Sequence, residues 1–296
     1  MKKSVLLLCL IPALANADFD RLINISAGYE DNLPRGLDDF HRRSSNFLNL
    51  DYSFGRSYLP GLNDIISVSA GLNAARYIDY SGLDNVGFSA SALWQHKFGF
   101  GPYVPRLNFT LDFNYAEFNK EARDNGLLTS GIFFSKRLND TWRFQVGFEY
   151  QESYAKNLRD DPLVTSLGYS ADIRLPYELF DFNASSLFAG LDYFFPSKLL
   201  ISLGYTRTDG ATVSSTTKLS LAAYKKADAF YSDPGLPEGW FAYQFATIND
   251  EWSISVSYPI AEDSSLDLSW ATQDIKATGD RDYDNERFVL SFVQRF

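Results

Sequence analysis

Glu286-Arg287-Phe288-Val289-Leu290-Ser291-Phe292-Val293-Gln294-Arg295-Phe296 closes the chain with apolar side chains alternating against polar or small ones. Successive side chains of a strand point to opposite faces, so Phe288, Leu290, Phe292 and Phe296 share one face while Arg287, Ser291 and Arg295 share the other. One face suits lipid and the other suits water.

The same two-faced pattern recurs toward the N-terminus in segments of about ten residues, the repeat expected of a transmembrane barrel. Trp142, Phe144, Val146, Phe148 and Tyr150 oppose Arg143, Gln145, Gly147, Glu149 and Gln151; Leu107 to Tyr115 alternates equally well. Further segments are Ile23–Tyr29, Leu48–Phe54, Ile66–Leu72, Leu187–Phe195, Leu199–Tyr205, Trp252–Tyr258 and Leu266–Trp270, with blurrier alternation over Val86–Phe98 and Leu127–Leu138. Beyond the N-terminal leader no apolar run is long enough to span a bilayer as a helix, so a closed barrel is the remaining spanning solution. The 18 Tyr and 25 Phe fit the aromatic girdles of such barrels.

These segments predict an all-β, antiparallel up-and-down transmembrane β-barrel of about twelve strands, with both termini on the periplasmic side. Tyr58–Asn63, Gly99–Pro105, Asn139–Thr141, Pro196–Lys198 and Ala261–Ser264 read as short periplasmic turns. Asp31–Ser45, Asp79–Asn85, Asn119–Asn125, Ala155–Asp181, Arg207–Gly239 and Lys276–Asn285 read as outward loops, two of them unusually long. Val164–Leu175 and Val213–Tyr224 carry enough alternation to raise the count to fourteen. Twelve is preferred because adding either one alone breaks the alternation of long and short connections.

Met1-Lys2-Lys3, the apolar stretch from Ser4 to Leu14 and Ala15-Asn16-Ala17 read as a secretory signal peptide over residues 1–17, leaving a barrel over 18–296. Removing that leader takes the one cysteine, Cys9, so neither disulfides nor thiol chemistry are expected. The formal charge is −10 and becomes −12 once the cations Lys2 and Lys3 leave, which gives no reason to expect nucleic acid.

On these features the chain resembles the Gram-negative outer-membrane β-barrel proteins. The resemblance implies residence in the outer membrane, contact with its lipid and lipopolysaccharide, and a terminal strand whose Phe292 and Phe296 serve as the signal read by the barrel assembly machinery. Gln294 stands where an aromatic is usual in that signal. The opening Ala27-Gly28-Tyr29-Glu30-Asp31-Asn32 also resembles the barrel domain of surface lipoprotein assembly modulators, without their preceding helical repeats.

Candidate chemistry is sparse. A hydrolase needs a nucleophile beside an oriented base, and the two histidines are His41, near Ser44, and His96, near a turn. The His-x-Ser-Asn-Gly signature of outer-membrane phospholipases is absent, so no catalytic role is expected. Asp280-Arg281-Asp282-Tyr283-Asp284-Asn285 alternates oxygen donors but lacks the Gly and distal Glu of a calcium loop. Gly99-Phe100-Gly101 precedes Pro102 and reads as a turn. No metal or cofactor is expected.

The inner face carries the functional expectation. Register places Asp51, Asp112, Arg143, Glu149, Asp192, Asp267, Arg287 and Arg295 in the lumen, together with Asn24, Glu30, Lys97, Asn108, Asn114 and several further amides. Twelve strands lie between filled eight-stranded barrels and open sixteen-stranded ones. The expectation is a narrow passive channel, favouring cations or neutral solutes because acids slightly outnumber bases. The alternatives are a non-transporting surface barrel that binds or delivers partners through its long loops, and an outer-membrane lipid hydrolase.

Overall fold

A computed structural model describes residues 19–36, 40–120, 123–155, 179–218, 220, 223, 225–233, 235–279 and 281–296. The leader and most of the expected Ala155–Asp181 loop, Val164–Leu175 included, lie outside the described residues. The strands are β1 (Asp20–Glu30), β2 (Ser45–Tyr58), β3 (Asp64–Tyr77), β4 (Asn85–Lys97), β5 (Arg106–Phe118), β6 (Asn125–Arg137) and β7 (Trp142–Ala155). They continue as β8 (Phe182–Phe194), β9 (Leu200–Thr216), β10 (Ala229–Ser232), β11 (Phe241–Ala261), β12 (Ser264–Ala277) and β13 (Tyr283–Arg295).

Each strand pairs antiparallel with its chain neighbour except at β10, and β1 pairs with β13 while β9 pairs with β11. Twelve strands therefore close a barrel, and the short β10 lies outside the ring on the edge of β11. Closure leaves no exposed sheet edge in the wall, which is what a bilayer interior requires. The five short connections fall where expected, and the Gly99-Phe100-Gly101 turn uses positive φ at both glycines (132° and 101°).

The outer face takes the apolar residues. Leu187 is 62% exposed, Leu290 53% and Leu48 50%, in a belt that an aqueous monomer would not leave bare. Covering each such side chain with hydrocarbon is worth roughly 1.5–3 kcal/mol, so lipid serves as half of the core. Aromatic pairs edge the belt: Trp94 with Phe109 and Trp142 with Tyr193 toward the short turns, and Phe88 with Tyr115 and Trp270 with Phe288 toward the long loops.

The blur in β4 and β6 has a physical source: Leu93, Leu127 and Phe133 sit on the inner face. Phe133 packs against Phe188 with ring centroids 6.1 Å apart, over the space left by Gly147, where a Cβ would come within 2.4 Å of the Cβ of Phe133. One stretch of the inner wall is thus apolar.

The loop reading of 207–239 needs correction. β9 runs on to Thr216 and β11 begins at Phe241, so the two strands stay paired well beyond their neighbours, from Ser257↔Leu200 to Phe241↔Thr216. Val213–Tyr224 is not an additional wall strand; its first residues continue β9. Its serines and threonines hide the continuation because nothing apolar alternates there.

Candidate functional site

The paired ends of β9 and β11, with β10 on their edge, form a tongue buried on both faces. One face carries Phe241, Tyr243 and Phe245, packed with Phe230, Ala223, Ala227 and the wall residue Ala277. The other carries Ala242 and Val213, packed with Leu179, Phe180 and Ala155. Beyond it, Leu236 and Trp240 meet Leu83 and Leu33, Tyr77 and Tyr80. Contributions from the connections after β1, β3 and β7 thus converge on the tongue, which covers the mouth at the long-loop end.

Polar contacts hold this cap down. The Asp233 side chain is fully buried and accepts two hydrogen bonds from Arg123 Nη2, at 2.7 and 2.8 Å, and others from the Ser215 hydroxyl and the Gly235 N–H. Arg123 also lies over the Phe180 ring at 4.8 Å. Arg35 donates to Thr212 Oγ1 at 2.7 Å, and the Ser215 N–H donates to the Pro34 carbonyl at 2.8 Å. Arg42 bridges Asp284 (2.7 Å) and Asp31 (2.5 Å), and those carboxylates hold its guanidinium still more firmly charged than usual. Beneath the cap lies a chamber of about 260 Å³, lined by Glu30, Tyr77, Phe118, Arg123, Phe182 and Ser215 among others.

Below the chamber the lumen is lined with small groups. Gly71, Gly87, Gly131 and Gly204 face inward, and inward serines pair across strands, as in Ser57 with Ser67 (2.7 Å) and Ser69 with Ser91 (2.6 Å). With strands about 4.8 Å apart and tilted about 40°, twelve strands give a backbone radius of about 12 Å, of which these Ser and Gly positions occupy little. Asp112 and Asn114 point inward and are nonetheless exposed, and Asn73 donates to Asn114 Oδ1 at 2.9 Å. The Asn24, Asn249 and Asp267 Oδ1 atoms are buried without a partner among the described residues.

The residues expected in the lumen are placed as follows. Asp51 accepts from Asn24 Nδ2 at 3.3 Å, and Asp192 accepts from Arg143 Nε at 2.6 Å. Glu149 is bonded to Gln151. Asp267 lies opposite Ser291 on β12, Arg287 lies opposite Glu30, and Arg295 closes β13 beside Leu22. Inward register also brings in Glu251, Arg106 and Arg137, which the sequence reading left out. The two arginines begin β5 and end β6, where alternation is too short to assign a face. Asp20, at the start of β1, also faces inward, so two acids and two bases are added and the small acidic excess on which the cation preference was based is unchanged.

The two histidines lie far apart in the fold. His41 Nδ1 accepts from the Thr217 N–H at 3.1 Å within the cap and is also 3.1 Å from the Thr217 hydroxyl, and His96, on the outer face, bonds Asp64 at 2.9 Å beside Trp94 and Phe98. In the calcium-like stretch, Asp282 accepts from the Ala277 N–H and Asp284 is paired with Arg42, so these donors are used within the protein. No cluster of metal-binding side chains occurs among the described residues. Phe296 is two-thirds exposed, its N–H donating to the Arg21 carbonyl at 2.9 Å.

No family model and no curated protein matches the chain, so the likeness to assembly modulators gains no support. Solved structures do match. An outer-membrane channel of Pseudomonas putida F1 superposes with a TM-score of 0.56 at 9% identity, covering 93% of this chain and 95% of that one. The NanC porin gives 0.46 at 10% identity over 92% and 98%. The Salmonella typhi outer-membrane phospholipase, a dimer with bound calcium, gives 0.39 at 10% identity over 94% and 90%. At these identities the likeness is one of fold: the chain is a closed twelve-stranded antiparallel β-barrel of the outer-membrane type.

Proposed function

We infer that the protein is a narrow outer-membrane channel for small polar solutes or ions, with its termini in the periplasm and its cap at the cell surface. The observation that carries this reading is the solvent-exposed inner position of Asp112 and Asn114 in a wall built from Ser, Gly and Asn. A structural barrel has no need to keep the Asp112 carboxylate wet and unpaired in its interior. The fold shared with an outer-membrane channel supports the reading. The cap makes the channel restrictive, because solute must pass the chamber beneath the tongue.

Planar-bilayer recording on the purified, folded protein tests it. Discrete conductance steps are expected, and Asp112→Lys should shift the reversal potential in a KCl gradient toward that of chloride. Absence of conductance in both wild type and a cap-loosened variant would sink the reading. A second reading, a non-transporting barrel presenting its cap to partners, is favoured by the two-sided packing of the tongue. It predicts that loosening the cap leaves the membrane silent.

A further inference from the structure

At the short-turn end the inner wall carries like charges placed directly opposite one another. Lys97 of β4 faces Arg106 of β5, and Arg137 of β6 faces Arg143 of β7. Cross-strand like charges destabilise a sheet, so two such pairs side by side need a compensating anion. Asp192 supplies one carboxylate, bound through Arg143 Nε and almost wholly buried. Asp140, in the adjoining turn, is taken by the Tyr103 hydroxyl. The Arg106 side chain has no hydrogen bond or ion pair among the described residues, and the Arg137 side chain has a cation–π contact with Phe194 and an electrostatic interaction with Tyr103 but no carboxylate within salt-bridge distance among them. The guanidiniums of Arg137 and Arg143 both contact the Phe194 ring, at 5.2 and 5.4 Å from its centroid.

Arg106, Arg137 and Arg143 line a cavity of about 460 Å³ whose other walls include Gln95, Asn108, Gln145, Ser135, Leu93 and Phe133, while Lys97 lies outside its lining. Asn108 is fully buried and oriented by the bond from Gln95 Nε2 to its Oδ1 at 2.8 Å. The size falls in the small-molecule range, and the walls combine guanidinium forks, which match planar oxyanions, with an apolar side.

We propose that this cavity is an anion-binding site for a small organic carboxylate or phosphate ester, which enters the lumen from the short-turn mouth. The proposal names a ligand class for the lumen described above and rests on that reading only for solvent access, not for conduction. It also predicts anion preference at this mouth, opposite to the preference expected from the bulk inner-face charge.

Titration of the folded full-length protein in detergent, using benzoate and inorganic phosphate as separate probes, tests the site without requiring conductance. Binding of at least one probe is expected, tighter benzoate indicating the apolar wall and tighter phosphate the guanidiniums alone. Arg106→Gln with Arg137→Gln should weaken it about tenfold or more. Arg56→Gln, which removes a cation from the outer face at the same end, should leave it unchanged. Heat-modifiable gel mobility reports whether each variant is folded. Binding of neither probe to wild type overturns the proposal, as does equal weakening by Arg56→Gln. Anion binding in a protein that never conducts would keep the site and remove the channel.

Discussion

Asp233→Ala is the sharpest perturbation of the cap. The carboxylate is fully buried and holds Arg123, the Ser215 hydroxyl and the Gly235 N–H at one point, tying the β10 segment to the loop between β5 and β6. Removing it leaves a guanidinium only about one-fifth exposed without its partner. Breaking one side of a buried pair costs about 3–5 kcal/mol, and the partial exposure of Arg123 places the effect near the lower figure. About 3 kcal/mol raises the population of a lifted tongue on the order of a hundredfold. The barrel wall should be untouched, because its hydrogen bonds do not pass through Asp233. Hydrogen exchange should therefore accelerate at amides of 213–216 and 241–245 and stay slow in β2 to β5, while bilayer recordings show larger unitary steps. Replacing both partners, Arg123→Met with Asp233→Leu, should recover part of the loss because no unpaired charge remains buried. Unchanged exchange in the tongue, or equal acceleration throughout the barrel, would refute the assignment of this contact as the latch.

Gly147→Ala should lower the unfolding free energy by about 1–3 kcal/mol, read as a shifted denaturant midpoint, because the new methyl meets Phe133, Phe188 and the Ile132 carbonyl within 2.7 Å. Tyr80, in the loop after β3, has its pKa raised above the ordinary 10.0 chiefly by burial against the cap. A raised folded pKa means stability present below the ordinary value and lost as pH rises through the folded one; tongue proteolysis should quicken in strong alkali, and Tyr80→Phe should remove that dependence. Phe296→Ser should reduce the amount of folded protein reaching the outer membrane in cells while leaving the stability of refolded protein nearly unchanged, since the ring is two-thirds exposed.

Alternation made the wall legible. Where lipid-facing and lumen-facing residues differ in polarity, as in Trp142 to Gln151, the period of two gives both the strand and its register. It failed where polarity does not differ: β6 places Leu127 and Phe133 inside, and the far ends of β9 and β11 bury Thr216 beside Phe241. Most lumen carboxylates could be identified by counting from outward aromatics, though Glu251 beside Trp252 was missed, whereas Arg106 and Arg137 sit at strand ends where counting has no anchor. Asp233 gave no signal at all, for its partner Arg123 is 110 residues away in the chain.

The sequence by itself determined that this chain forms a barrel of about twelve strands, and which residues meet lipid, because the bilayer imposes a local rule at every second position. The tertiary structure alone decided that the tongue folds over one mouth and that Lys97, Arg106, Arg137 and Arg143 crowd the other. Both depend on contacts between segments far apart in the chain, where burial and charge pairing are set by closure of the ring.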